Sequence, residues 1–196
     1  MQRLYDFLRR HPTGVDSFWA LVVLGISLVT LVTPGTRVDG TDSVALIVPF
    51  TVLLSLVIAL RQRAPERMLL LAVALGVGQL VFDVSTLPAD FAFLVIIYTV
   101  AATGARWASR TALVTGLCAA PLSQLRWADS QLGMGASIAV TVFQAVPFAL
   151  AWVLGDSVRT RRAYFAQLEE RATRLEKGAR GTGQGRGRRR ARPDRP

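Results

Sequence analysis

The chain has 196 residues, 52 % of them hydrophobic, and a formal net charge of +10. Its apolar residues fall in blocks too long for an ordinary soluble domain, which argues against a soluble enzyme. The arginines sit at the ends of those blocks and in the C-terminal stretch, with no basic face interleaved with aromatics, which argues against nucleic-acid binding.

The leader, residues 1–14, places Arg3, Arg9, Arg10 and the only histidine, His11, before the first apolar run. Leu4, Phe7 and Leu8 give it a short amphipathic face suited to a membrane surface. No small-x-small cleavage site follows, so an uncleaved first span is expected. The region 15–154 reads as a transmembrane domain with spans at about 17–33, 43–60, 68–87, 91–105, 111–125 and 132–154. The fourth and fifth are the shortest, about 22 Å of helix at ~1.5 Å per residue. They must borrow length from Trp107, Trp127 and snorkelling arginines, or thin the bilayer. The fold class is therefore an all-α membrane protein of about six transmembrane helices, with four as the alternative.

With the N-terminus placed in the cytoplasm, 21 of the 23 Lys and Arg residues fall on the inner side, and only Arg37 and Arg126 fall outside. Positive charge is retained on the cytoplasmic side of short loops, so the expected location is the cytoplasmic membrane, multi-pass, with both termini inside. The outer loops are short, so any stimulus must be read within the membrane, at its surface, or through partner subunits.

Leu132–Leu154 contains no charge and runs directly into a polar, heptad-patterned segment, 155–177. Val158, Phe165 and Ala172 repeat every seven residues, as do Arg161, Leu168 and Leu175, which makes an a/d seam for a dimeric coiled coil. Glu170 with Arg174, and Glu176 with Arg180, are correctly oriented i,i+4 pairs. From Gly178 to Pro196 the composition turns to Arg, Gly and Pro, and a disordered tail is expected, its seven arginines held near anionic lipid.

No phosphate-binding glycine loop, His-Glu-x-x-His or Cys-x-x-Cys is present, and Cys118 lies alone inside an apolar run. No catalytic, cofactor-binding or metal-binding residue is assigned. Gln79 and Asp83 lie one turn apart on one face of the third span, and an ionisable residue at depth is a candidate sensing site. Asp83 is also close enough to the outer end to reach water. Gln144, followed by Pro147, reads as an inter-helix hydrogen-bonding residue beside a kink.

Several segments resemble the N-terminal membrane region of actinobacterial two-component sensor histidine kinases of the nitrate-sensor-like type. They are Leu8-Arg-Arg-His-Pro12 with Val15-Asp16, Leu60-Arg-Gln-Arg-Ala-Pro65, and Asp90-Phe-Ala-Phe-Leu94 with Tyr98-Thr-Val-Ala-Ala102. Most specific is Trp152-Val-Leu-Gly-Asp-Ser-Val-Arg-Thr-Arg-Arg-Ala-Tyr164, with Leu168-Glu-Glu-Arg-Ala172 and Arg174-Leu-Glu176. The resemblance covers about residues 1–177. It implies a signal-input module that relays a membrane stimulus through the sixth span into a dimeric helix. In that family autophosphorylation of a histidine and transfer to a response regulator follow, in domains beyond this helix. No Arg-Glu-Leu-His-Asp-like box and no ATP site occur here, so the chain is expected to be inactive alone, as a frameshift or truncation near residue 177 would leave it. It is expected to homodimerise, or to pair with an intact histidine kinase. The rival class is a self-standing small integral membrane protein, a transporter subunit or lipid-binding anchor using Asp83 and the basic tail.

Overall fold

In the computed structural model, residues 12–32, 44–84, 87–127 and 133–190 are described. The leader face of Leu4, Phe7 and Leu8, together with His11 and Arg37, lies outside them. The described residues are helical, with no strand among them: α1 Pro12–Val32, α2 Val44–Leu60, α3 Pro65–Phe82, a 3-10 turn Pro88–Asp90, α4 Phe91–Thr103, α5 Arg106–Trp127 and α6 Met134–Arg190. An all-α fold is thus borne out. Two compact units divide the chain, residues 1–157 and 158–196.

Among the described residues two helices are long and apolar enough to cross a membrane: α3, and α6 from Met134. The stretches Asp16–Thr30, Ala45–Leu60 and Pro88–Thr103 are apolar but shorter, and α5 is interrupted by polar residues and by Arg110. Length and apolarity alone therefore carry two spans, and the expectation of six does not follow from them.

In the first unit α1 packs on α2, α2 on α3 and α4, α3 on α4 and α5, and α4 on α5. Leu54, Val57, Ile58, Leu69, Val84, Ile96 and Val100 are among the large aliphatic residues of the core. Much of the remaining core is alanine: Ala72, Ala89, Ala92, Ala101, Ala108, Ala112 and Ala120. Small residues let helix backbones approach closely, and the gaps between them receive larger side chains from neighbours. Phe50 of α2 lies against Gly78, and Phe93 of α4 against Gly76. Buried hydroxyls turn back onto their own helix, as Ser55 does to the Thr51 carbonyl and Thr99 to that of Val95, each at 2.8 Å. Large apolar side chains meanwhile point outward on every long helix, among them Phe18, Leu53, Leu70, Val114 and Phe143.

Two boundaries differ from the sequence reading. The third apolar run ends as helix at Phe82, not near Leu87, because Asp83 takes the left-handed conformation (φ 58°, ψ 38°) and closes the helix with its N–H on the Gln79 carbonyl. At the other extreme α6 continues through Gly178 to Arg190. Extending an existing helix adds one hydrogen bond per residue without a new nucleus, which offsets the ~1 kcal/mol that each glycine costs.

Candidate functional site

Polar chemistry gathers at the two ends of the first unit. At one end Arg61, just after α2, donates from Nη2 to Oδ1 of Asp16 in α1 at 2.6 Å. The Asp16 side chain is 2 % exposed and that of Arg61 is 21 % exposed, so the pair is nearly shut away from water. Asp16 Oδ2 and Arg61 Nε are buried without a hydrogen-bond partner. At the same end the Ala105 N–H donates to Glu66 Oε1 at 3.3 Å, tying the α4–α5 link to the first turn of α3.

At the opposite end Asp83 accepts from Trp127 Nε1 at 2.8 Å and pairs with Arg126 Nη2 at 2.9 Å. Arg126 Nε also donates to the Leu80 carbonyl at 3.3 Å. Roughly half of each partner's side chain stays exposed (45 % for Arg126, 47 % for Asp83). Asp83 therefore caps α3 and fastens it to α5. Gln79, one turn earlier, is buried and does something else: its Nε2 donates to Oδ1 of Asp90 at 2.7 Å, while the Leu87 N–H donates to Oδ2 at 2.8 Å. The two predicted sensing residues thus share a helix end but hold different partners. Burial pushes the Asp90 carboxyl up from its ordinary 3.8 to about 6, outweighing the two hydrogen bonds, which pull it down.

The start of α6 is fixed to α4 and α5. Gln144 Oε1 accepts from Ser123 Oγ at 3.2 Å and Gln124 Nε2 at 3.4 Å, the inter-helix contact expected of it. Trp152 Nε1 donates to the Ser109 carbonyl at 3.0 Å and to its Oγ at 3.1 Å. Phe148 presses on Gly116. The tightest approach is at Gly155, where a Cβ would lie 2.5 Å from the Tyr98 carbonyl oxygen and 2.6 Å from the Ala101 Cβ. Only glycine permits that crossing of α6 over α4.

In the second unit Phe165 (61 %) and Leu168 (41 %) are exposed, as are Arg161 and Ala172, while Val158 is partly covered. The Leu175 side chain lies outside the described residues. Arg174 Nη2 pairs with Glu170 Oε1 as the i,i+4 spacing predicts. Among the described residues no cluster of His, Cys, Asp or Glu is placed to hold a metal.

Asp16–Arg61, Asp90 as a partner of Gln79, and Gly155 as a contact were not singled out from sequence. One available signal for the first was topological: Asp16 opens one apolar run and Arg61 closes the next, so a hairpin brings them to the same end.

Residues 4–162 match the family described as a domain of unknown function (DUF7134), and the chain belongs to that family. No curated protein and no solved structure matches it.

Proposed function

We propose that the chain is the membrane-embedded signal-input module of a two-component sensor histidine kinase, acting as a dimer. In this reading all six helices cross the cytoplasmic membrane, and both termini are cytoplasmic. Three features support six crossings. Large apolar side chains face outward on every long helix. Polar contacts cluster at the two ends. Positive charge lies almost wholly on one side of the apolar runs. The shorter helices then sit in a locally thinned bilayer or lengthen through their flanking arginines and tryptophans.

The observation that carries the relay is the continuity of α6. One unbroken helix includes an apolar stretch fixed to α4 and α5, then a heptad seam with Phe165 and Leu168 uncovered. In this reading a shift in the packing around Gly155 is passed along the helix to a coiled coil with two packings. Two and a half heptads are a weak dimer by themselves, but two membrane-anchored copies are already aligned. Residues 1–196 have no histidine beyond His11, so phosphotransfer to a response regulator is assigned to domains outside this chain. The transporter-like rival loses its main residue, because Asp83 is engaged by Arg126 and Trp127 at a helix cap.

The test is a dimerisation assay on the full chain in lipid nanodiscs. Phe165→Asp with Leu168→Asp should abolish the dimer seen with the native chain, by cross-linking or light scattering, while leaving helix content unchanged. A dimer that survives both changes rules out the relay seam.

A further inference from the structure

Asp90 ends the 3-10 turn that opens α4, just before the spanning segment Phe91–Thr103. The turn packs against α1 and α2, and Ala89 and Ala92 on either side of Asp90 have no exposed surface. Among the described residues only Gln79, itself buried, ties this carboxylate to another helix. Both carboxylate oxygens are receiving a donor, from Gln79 on one side and the Leu87 backbone on the other. Each oxygen accepts one donor, so a proton taken up at a remaining lone pair leaves both contacts geometrically possible but weakens the acceptor that bears it. The new O–H, in a buried place, also needs an acceptor of its own. The Leu87 N–H cannot become an acceptor, but the Gln79 amide can turn over and present its oxygen instead.

What lies beyond Asp90 makes this consequential. The helix it opens is the most enclosed in the unit, with Ile96, Ile97, Thr99, Val100, Ala101 and Ala102 all buried. Packed interiors do not deform gradually, so displacement at one end is passed along the helix. The far end of α4, Tyr98 to Ala102, is where Gly155 of α6 fits with no space to spare.

We propose that the Asp90–Gln79 contact is a proton-operated latch, and that α4 carries its opening to the crossing with α6 at Gly155. The position is poised for this, since burial already brings the Asp90 carboxyl to about 6. Its surroundings do not mask it. Among the described residues α1, α2 and α4 bring no acidic or basic side chain to that end, and α3 brings Asp83, whose charge Arg126 balances. The latch names the stimulus of the module proposed above, acidification outside the membrane, and rests on that reading for its downstream use.

Two measurements on the full chain in nanodiscs test it. Infrared difference spectra from about pH 8 to about pH 5 should show a carboxylic-acid C=O band with a midpoint near 6. The band should vanish in Asp90→Asn. In Gln79→Leu it should remain, with its midpoint moved higher, because a bond that favours the charged form is gone. In a Cys118→Ser background, spin labels at Thr103→Cys and Ser157→Cys should change separation over the same pH range. Adding Asp90→Asn should hold them at the acid-form separation at every pH. A band that persists in Asp90→Asn, or a label separation that ignores pH while Asp90 titrates, overturns the proposal. Both readouts lie within one chain, so their outcome is separate from that of the dimerisation assay.

Discussion

The two ends of the bundle use the same Asp–Arg chemistry under opposite conditions of solvation. At one end Asp16 and Arg61 are enclosed. At the other, Asp83 and Arg126 stand half in water, with Asp90 a short way along the chain. Withdrawing both members of an ion pair from water costs as much as their attraction returns, so an enclosed pair adds little net stability. Losing one member, however, leaves a charge with neither water nor partner. The enclosed pair therefore acts as a constraint that the α1–α2 hairpin cannot easily leave. A half-exposed pair exchanges freely with water, and that end of the bundle is free to respond.

The largest effect that sharpens this contrast is expected at the enclosed pair. Asp16→Asn keeps the side-chain shape and removes the charge opposite Arg61. The unfolding free energy in detergent should fall by about 3 kcal/mol. Adding Arg61→Gln should restore a large part of it, since no unpaired charge then remains. A loss below about 1 kcal/mol, typical of exposed pairs, would mean that water reaches Asp16 and that the two ends do not differ.

Next in size is the pH dependence at the other end. The Asp90 carboxyl titrates at about 6 in the folded chain against 3.8 ordinarily, so folding favours its neutral form. That contribution is complete below about pH 4 and is lost as pH rises through about 6, a change of about 2–3 kcal/mol for a shift of this size. The native chain should accordingly unfold more readily at pH 7.5 than at pH 4.5, taken as about one unit or more on either side of that midpoint. Asp90→Asn should flatten most of the slope. An unchanged slope would assign it to other groups and remove the asymmetry between the ends.

How much of this was legible in the sequence depends on the range over which each feature is decided. The helices α1 and α2 follow from local apolar runs, which carry α2 through Pro49 in spite of the hydrogen bond that proline removes. The Glu170–Arg174 pair is equally local, and Gln144 was readable because a lone amide in an apolar helix must find a partner on another helix. The end of α3 was not readable. Val84 and Leu87 keep the hydropathy high past Phe82, while the terminating event is a single left-handed residue. Such positions usually announce themselves as Gly or Asn, and here the residue is Asp. Gln79 and Asp83 looked like one site because i,i+4 spacing assumes a helix that has already stopped. The partners Asp16 and Arg61 are 45 residues apart, and Gly155 and Tyr98 are also far apart in sequence. Contacts of that range exist only once the bundle is assembled.

The smallest expected effect, at Asp83, separates two roles of one residue. As an ion-pair partner with 47 % of its side chain exposed, Asp83 should contribute under about 1 kcal/mol. As the left-handed cap of α3 it holds a backbone conformation that Asn accepts and β-branched residues resist. Asp83→Asn removes the charge and keeps the cap, so denaturant midpoints should barely move and high salt should abolish the remaining difference. Asp83→Val loses both, and should cost a further 1–2 kcal/mol, roughly, that salt does not touch. If Asn is as damaging as Val, the Arg126 contact matters more than its exposure allows, and the two ends of the bundle are alike. If both are tolerated, α3 has another way to stop, and the turn between Phe82 and Asp90 is softer than its hydrogen bonds suggest.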